Sequence, residues 1–166
     1  MVVLLIIIGL KANAQIQLGG LPQYITQSAS GVNFPIAVNG KTAQVMVDPE
    51  DWKGVIRAAS DLGDDVRKVT GTASEVIQSQ SLAKNAILVG TIGKSRIIDK
   101  LIADKKIDVT PIKGKWESFL IQTVDDHLVI VGSDKRGTIF GIYDVSEKIG
   151  VSPWYWWADA PVKKSG

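Results

Sequence analysis

Cysteine is absent from the 166 residues. That removes disulfides, thiolate zinc sites, a cysteine nucleophile and the thiol on which an N-terminal lipid anchor is built. It leaves export open, because exported proteins can fold without disulfides. Histidine is nearly absent as well: His127 stands alone, so a metal centre or a serine–histidine–acid relay would have to be built on that one ring. No charge sign dominates. Nineteen basic against 17 acidic residues leave a net charge of +2, the basic residues are scattered, and neither a nucleic-acid stripe nor a membrane-binding face emerges. No apolar run reaches the roughly 20 residues that cross a bilayer, so no stable membrane span is expected. Internal repeats and low-complexity segments are also missing.

What is present describes one folded domain: 45% hydrophobic and 22% charged residues in a chain long enough for a real core. Met1 to Leu10 is an uninterrupted apolar run, followed by Lys11 and Ala12-Asn13-Ala14. A short apolar core ending in a small-x-small triplet has the form of a secretory signal peptide, so residues 1–14 are set aside from the mature fold and the location is exported, periplasmic or extracellular. No basic residue precedes the run, so either the true start lies upstream of Met1 or the signal is atypical. The other reading of this run is a buried strand. Residues 15–33, rich in Gly, Gln and Ser, form a leader or loop.

From residue 34 the pattern sharpens. Phe34 to Val38 reads as a strand, Asn39-Gly40 as a hairpin turn, and Ala43 to Val47 as the returning strand. Asp48-Pro49-Glu50-Asp51 reads as a helix start, with Asp48 as cap and Pro49 in the first position. Trp52, Val55, Ile56, Ala59, Leu62, Val66 and Val69 then recur at helical spacing up to Gly71. Ala86 to Gly90 is a buried strand leading to a helix that carries Ile97, Ile98, Leu101 and Ile102. Glu117–Val124 and Leu128–Val131 form a strand pair turning at Asp125-Asp126. A last helix runs from Lys135 to Ile149 and ends at Gly150. The order β-β-α-β-α-β-β-α implies a mixed sheet with packed helices, α/β in the broad sense that includes α+β.

Four features invite a chemical reading. Gly90-Thr91-Ile92-Gly93-Lys94-Ser95 echoes a phosphate loop, but position 88, where that loop needs its first glycine, is Leu88, so a plain strand-to-helix turn is expected. His127 sits at a hairpin corner with no second imidazole and reads as an exposed turn residue. The acids Glu50, Asp51, Asp61, Asp64, Asp65, Asp99, Asp104 and Glu147 fall on predicted helices as caps or solvated faces rather than as a facing pair for glycoside hydrolysis. The fourth feature is Ser152-Pro153-Trp154-Tyr155-Trp156-Trp157-Ala158-Asp159. Clustered aromatic rings fit either a plug against a neighbouring domain or a platform on which sugars stack.

Gly114-Lys-Trp-Glu-Ser-Phe119, Gly132 to Gly150 and Val151 to Asp159, together with Asp48-Pro-Glu-Asp-Trp52 and Val55 to Leu62, resemble the N-terminal domain of glycoside hydrolase family 115, the xylan α-1,2-glucuronidases. The resemblance covers roughly residues 30 to 166. It implies a companion domain that precedes a (β/α)8 barrel, as in hexosaminidase- and glucuronidase-type enzymes. That barrel carries the acids which remove glucuronic acid, or its 4-O-methyl ether, from xylan with inversion. Inversion needs two carboxyl groups about 6.5–9.5 Å apart. The expected division is then a signal peptide at 1–14, a leader at 15–33, the α/β domain at 34–153, and an aromatic connection at 154–166 toward a barrel that this chain stops short of. No catalytic residue, metal site or cofactor is expected within the chain, and the fragment alone is expected to be inactive. The expected partners are the C-terminal catalytic domain of the same polypeptide and, through it, glucuronoxylan. Trp154, Tyr155, Trp156, Trp157 and Asp159 would reach the barrel's sugar site or seam, while Lys135 and Arg136 would face an anionic uronate. The alternative is a stand-alone carbohydrate-binding or interaction module that uses the aromatic loop.

Overall fold

The computed structural model describes residues 5–7, 12–13, 24–26 and 33–152. Its centre is a six-stranded mixed sheet. Four strands run parallel: β6 (Gln44–Val47), β7 (Val76–Gln78), β8 (Ala86–Thr91) and β10 (His127–Gly132). β9 (Phe119–Val124) lies antiparallel to β10, and β2 (Ala12–Asn13) lies antiparallel to β9, giving the order β2-β9-β10-β8-β6-β7. A smaller sheet, in the order β3-β1-β4-β5, joins β1 (Leu5–Ile7), β3 (Ile25–Thr26), β4 (Phe34–Val38) and β5 (Lys41–Thr42).

The central strands are apolar on both faces because both faces are covered. Val45, Val47, Ile87, Val89, Leu128 and Ile130 point to one side, where α1 (Lys53–Thr70) and α3 (Lys135–Ile149) pack. Met46, Leu88, Val129 and Val131 point to the other, against α2 (Arg96–Ala103) and the segment that contributes Ile107, Val109 and Ile112. Each fully buried Ile, Leu or Val side chain contributes about 1.5–3 kcal/mol of transfer free energy, so the two apolar layers dominate the stability of the sheet. The result is the expected mixed sheet with packed helices.

The helix spans follow their sequence signals. α1 buries Val55, Ala58, Ala59, Leu62, Val66 and Val69 along one stripe and ends on Gly71, which is in the left-handed conformation. α3 ends on Gly150, and its last carbonyls accept from Gly150 and Val151. Gly137 faces the backbone before β9: a Cβ built there would lie 2.3 Å from the Ser118 carbonyl oxygen, so only glycine lets α3 seat this closely.

Three expectations need correction. Asn39 and Gly40 do form a turn with positive φ at both residues, but the strand that returns against β4 is the two-residue β5. The Ala43 amide still donates to the Ile36 carbonyl at 2.9 Å, and Gln44–Val47 then crosses into the large sheet, where β6 runs parallel to β7 and β8. β7 itself had no counterpart in the sequence reading. Lastly, α1 starts at Lys53, with Pro49 and Glu50 in the turn before it, so Asp48 is not its cap.

Within residues 1–14, set aside as a leader, Leu5–Ile7 pairs with β4 and β3 in the smaller sheet, and Ala12–Asn13 pairs with β9 in the larger one.

Candidate functional site

In open α/β sheets, loops at the carboxyl ends of parallel strands meet in a crevice where the strand order reverses. Here the chain passes from β6 to β7 on one side and then to β8 and β10 on the other, so the reversal falls between β6 and β8. The loops after β6, β8 and β10 converge on that edge, and two buried carboxylates tie them together.

Asp51 is 4% exposed. Its Oδ2 accepts from the Thr91 amide at 2.7 Å and its Oδ1 from the Trp52 amide at 2.7 Å, joining the β6 loop to the end of β8. Burial raises its pKa above the ordinary carboxylate value; the donated amides pull the other way and only partly offset this. Asp48, fully buried, accepts from the Glu50 amide at 2.9 Å and the Arg96 amide at 2.7 Å, so it secures the start of α2 rather than α1. The hydroxyls of Thr91 and Thr138 lie 2.8 Å apart. The Thr138 hydroxyl also donates to the Asp134 carbonyl at 2.9 Å. This chain of bonds joins all three loops.

The rim is polar and aromatic. Trp52 is 43% exposed, and the Lys94 ammonium sits 4.4 Å from its ring centroid. Arg96 places Nη2 2.9 and 3.0 Å from the two Glu50 oxygens and donates from Nη1 to Gln80. Every acid on this edge is thus committed to an internal donor or a cation. Among the described residues, these bonds hold the three loops in register.

Gly90 to Ser95 is the expected strand-to-helix turn. A Cβ on Gly90 would fall 2.4 Å from the Ser95 Cβ, the Gly93 amide is taken by Asp99 Oδ1 at 2.8 Å, and the Ser95 side chain caps α2. No space is left there for a phosphate.

Lys135 and Arg136 occupy the first turn of α3, both exposed. Asp134 caps this helix: its Oδ1 accepts from the Gly137 amide at 2.7 Å and its Oδ2 from the Glu117 amide at 2.8 Å. Arg136 pairs with Glu117 at 3.0 Å and lies over the Phe140 ring. Lys135 lies on the side toward α1, its Cδ 4.0 Å from where a Cβ on Gly54 would be. The structure therefore places the two cations at the carboxyl end of β10 but separates their surroundings. Trp154, Tyr155, Trp156, Trp157 and Asp159 lie outside the described residues.

His127 is not the exposed corner residue expected. Its side chain is 13% exposed, with Nε2 2.8 Å from the Ala83 carbonyl oxygen and Nδ1 2.9 Å from Asp126. Both nitrogens are engaged, and among the described residues no group of three potential ligands could hold a metal ion.

The model for "Glycosyl hydrolase family 67 N-terminus" matches residues 37–145, from the middle of β4 to the last turns of α3. The chain belongs to that family. Among solved structures it resembles a family GH115 4-O-methyl-alpha-glucuronidase with specificity for decorated arabinogalactans: 30% identity, a TM-score of 0.62, 74% of this chain covered and 15% of that one. The chain thus spans under a sixth of that enzyme's length. No curated protein matches it.

The sequence reading missed the buried state of Asp48, Asp51 and Asp65, which are 0%, 4% and 2% exposed. For the first two a signal was available: they flank a proline directly after an apolar strand, where carboxylates often accept loop amides.

Proposed function

We propose that this chain is the N-terminal, non-catalytic domain of an exported glycoside hydrolase that removes glucuronic acid, or its 4-O-methyl ether, from polysaccharide side chains. The family match over residues 37–145 carries this reading. The likeness to a 4-O-methyl-alpha-glucuronidase at 30% identity narrows it toward family 115. The commitment of Asp48, Asp51 and Asp134 to internal amides supports a supporting role for the domain, since a general acid or base needs a proton site open to substrate.

In this proposal the catalytic acids sit in a following barrel and act with inversion, with xylan as the polysaccharide. Trp154 to Trp157 and Asp159 cover the seam to that barrel or its sugar site, and Lys135 faces the uronate. Residues 1–14 act as the export signal.

The test compares the chain with the intact polypeptide that carries it, following release of 4-O-methylglucuronic acid from glucuronoxylan and from glucuronic-acid-capped arabinogalactan, with the first-formed anomer read by NMR. The intact polypeptide should release the uronic acid with inverted configuration, and the isolated chain should release none. Turnover by the isolated chain would overturn the non-catalytic assignment. N-terminal sequencing of the secreted protein should begin at Gln15; retention of Leu5–Ile7 in the mature protein would instead fit the strand pairing.

A further inference from the structure

One exposed indole is unused by the reading above. Trp116 is 88% exposed, far more than any other large apolar side chain among the described residues. Exposing an indole forgoes a large burial gain, and an exposed aromatic on an ordered loop marks a surface that meets something.

The loop is ordered by its own bonds. Ile112 is buried beneath it, and the Lys113 and Lys115 amides donate to the Val109 and Ile112 carbonyls at 2.8 and 3.0 Å. The Ser118 hydroxyl donates to the Trp116 carbonyl at 3.0 Å, and the Glu117 amide donates to Asp134 at 2.8 Å. Glu117 holds a positive φ of 51°, which turns the chain sharply just after the indole. Trp116 is therefore presented on a fixed base, and little ordering entropy is left to lose on binding.

The loop that carries it also carries two lysines. Lys113 and Lys115 are exposed, and neither has a carboxylate partner among the described residues. Arg136 lies over the Phe140 ring. The nearest acid, Glu117, is neutralised by Arg136, and Asp134 is taken up by amides.

We infer that Trp116, Lys113 and Lys115 form a landing surface for a uronate-bearing polysaccharide. The indole offers a flat apolar face for a sugar ring, and the cations meet the carboxylates spaced along the glycan. A protein partner fits less well, because lysine is depleted from the centres of protein interfaces. Only the choice of polysaccharide rests on the function proposed above; the surface does not.

The test is affinity electrophoresis of the intact polypeptide at low temperature in gels containing glucuronoxylan or an uncharged xylan. The wild type should be retarded by glucuronoxylan much more than by the uncharged polymer, and added salt should weaken the effect, since exposed charges are screened. Trp116→Ala, and separately the pair Lys113→Gln with Lys115→Gln, should each weaken retardation about fivefold or more. Circular dichroism confirms that each variant folds. Absence of wild-type retardation, equal retardation by both polymers, or variants that migrate like the wild type would each overturn the surface. So would protection of Trp116 from hydroxyl-radical labelling in the intact polypeptide without glycan, which would make it a domain contact. Release of glucuronic acid from a short oligosaccharide by the wild type is read separately: its loss sinks the hydrolase reading and leaves the surface intact.

Discussion

Asp51→Ala gives the sharpest test of how the sheet edge is held together. The carboxylate accepts two amides at 2.7 Å and is 4% exposed, so water cannot replace it without opening the loop. Truncation leaves the Thr91 amide, at the buried end of β8, without an acceptor and frees the Trp52 amide at the loop before α1. A buried donor left unpaired costs about 1–3 kcal/mol, and Trp52, nearer solvent, recovers part of its loss from water. The expected destabilisation is about 2–4 kcal/mol in urea unfolding, with an unchanged slope against denaturant. Asp51→Asn keeps one acceptor oxygen but turns an NH2 toward the other amide, so about 1–2 kcal/mol is expected. The pH dependence carries its own sign. Burial raises the folded pKa of Asp51 above its unfolded value, so the folded state takes up this proton more readily. The associated stability is fully present below the unfolded value and is lost as pH rises through the folded one. The wild type should therefore lose stability relative to Asp51→Asn as pH climbs through the range just above the ordinary carboxylate pKa. A loss under about 0.5 kcal/mol for Asp51→Ala, within the ordinary range for surface substitutions, would refute the clasp. A wild-type advantage that grows with pH through that range would refute the assigned shift.

Other substitutions separate tight from tolerant positions. Gly137→Ala puts a methyl 2.3 Å from the Ser118 carbonyl, which is backbone and cannot step aside, so a loss of about 3 kcal/mol is expected by thermal unfolding. Gly141→Ala meets only the Ile130 and Phe119 side chains at 3.0–3.1 Å and should cost about 1 kcal/mol. Arg96→Ala removes an exposed pair with Glu50 and should shift stability by less than about 1 kcal/mol at low salt and by less still at high salt. His127→Ala loses the bond to the Ala83 carbonyl; it should cost about 1 kcal/mol in urea unfolding and leave uronic acid release by the intact polypeptide unchanged.

Long periodic segments were legible because their signals are local. The apolar stripe of α1, the continuous apolar run of β8, and the Asp125-Asp126 turn between β9 and β10 each lie within one element, and the structure keeps all three. The region after Asn39-Gly40 was misread for a nonlocal reason. A hairpin signal fixes the turn but not how far the pairing runs. After the two residues of β5, Gln44–Val47 pairs with β7 and β8 instead, where Val45 and Val47 bury against α1 while Met46 buries on the opposite face. A strand buried on both faces gains more apolar contact than the outer arm of a hairpin, and that gain depends on partners far along the chain, with Val45 opposite Val76 on one side and Ile87 on the other. β7 is short and half-exposed, so its own residues carry little pattern.

The edge residues were harder to read, because an acid's role depends on which amides converge on it. Asp48 and Asp51 look alike in the sequence, two acids around Pro49-Glu50 before a helix, and a helix cap is the local answer. In the fold their acceptors face amides 40 and 48 residues away, at Thr91 and Arg96. Those bonds exist only once β6 and β8 are adjacent, so the local signal marks both acids as acceptors of loop amides without naming the amides. The same adjacency closes both acids to solvent. A carboxylate whose two oxygens each accept a backbone amide is fixed in place, and here it holds the loops after β6 and β8 in register.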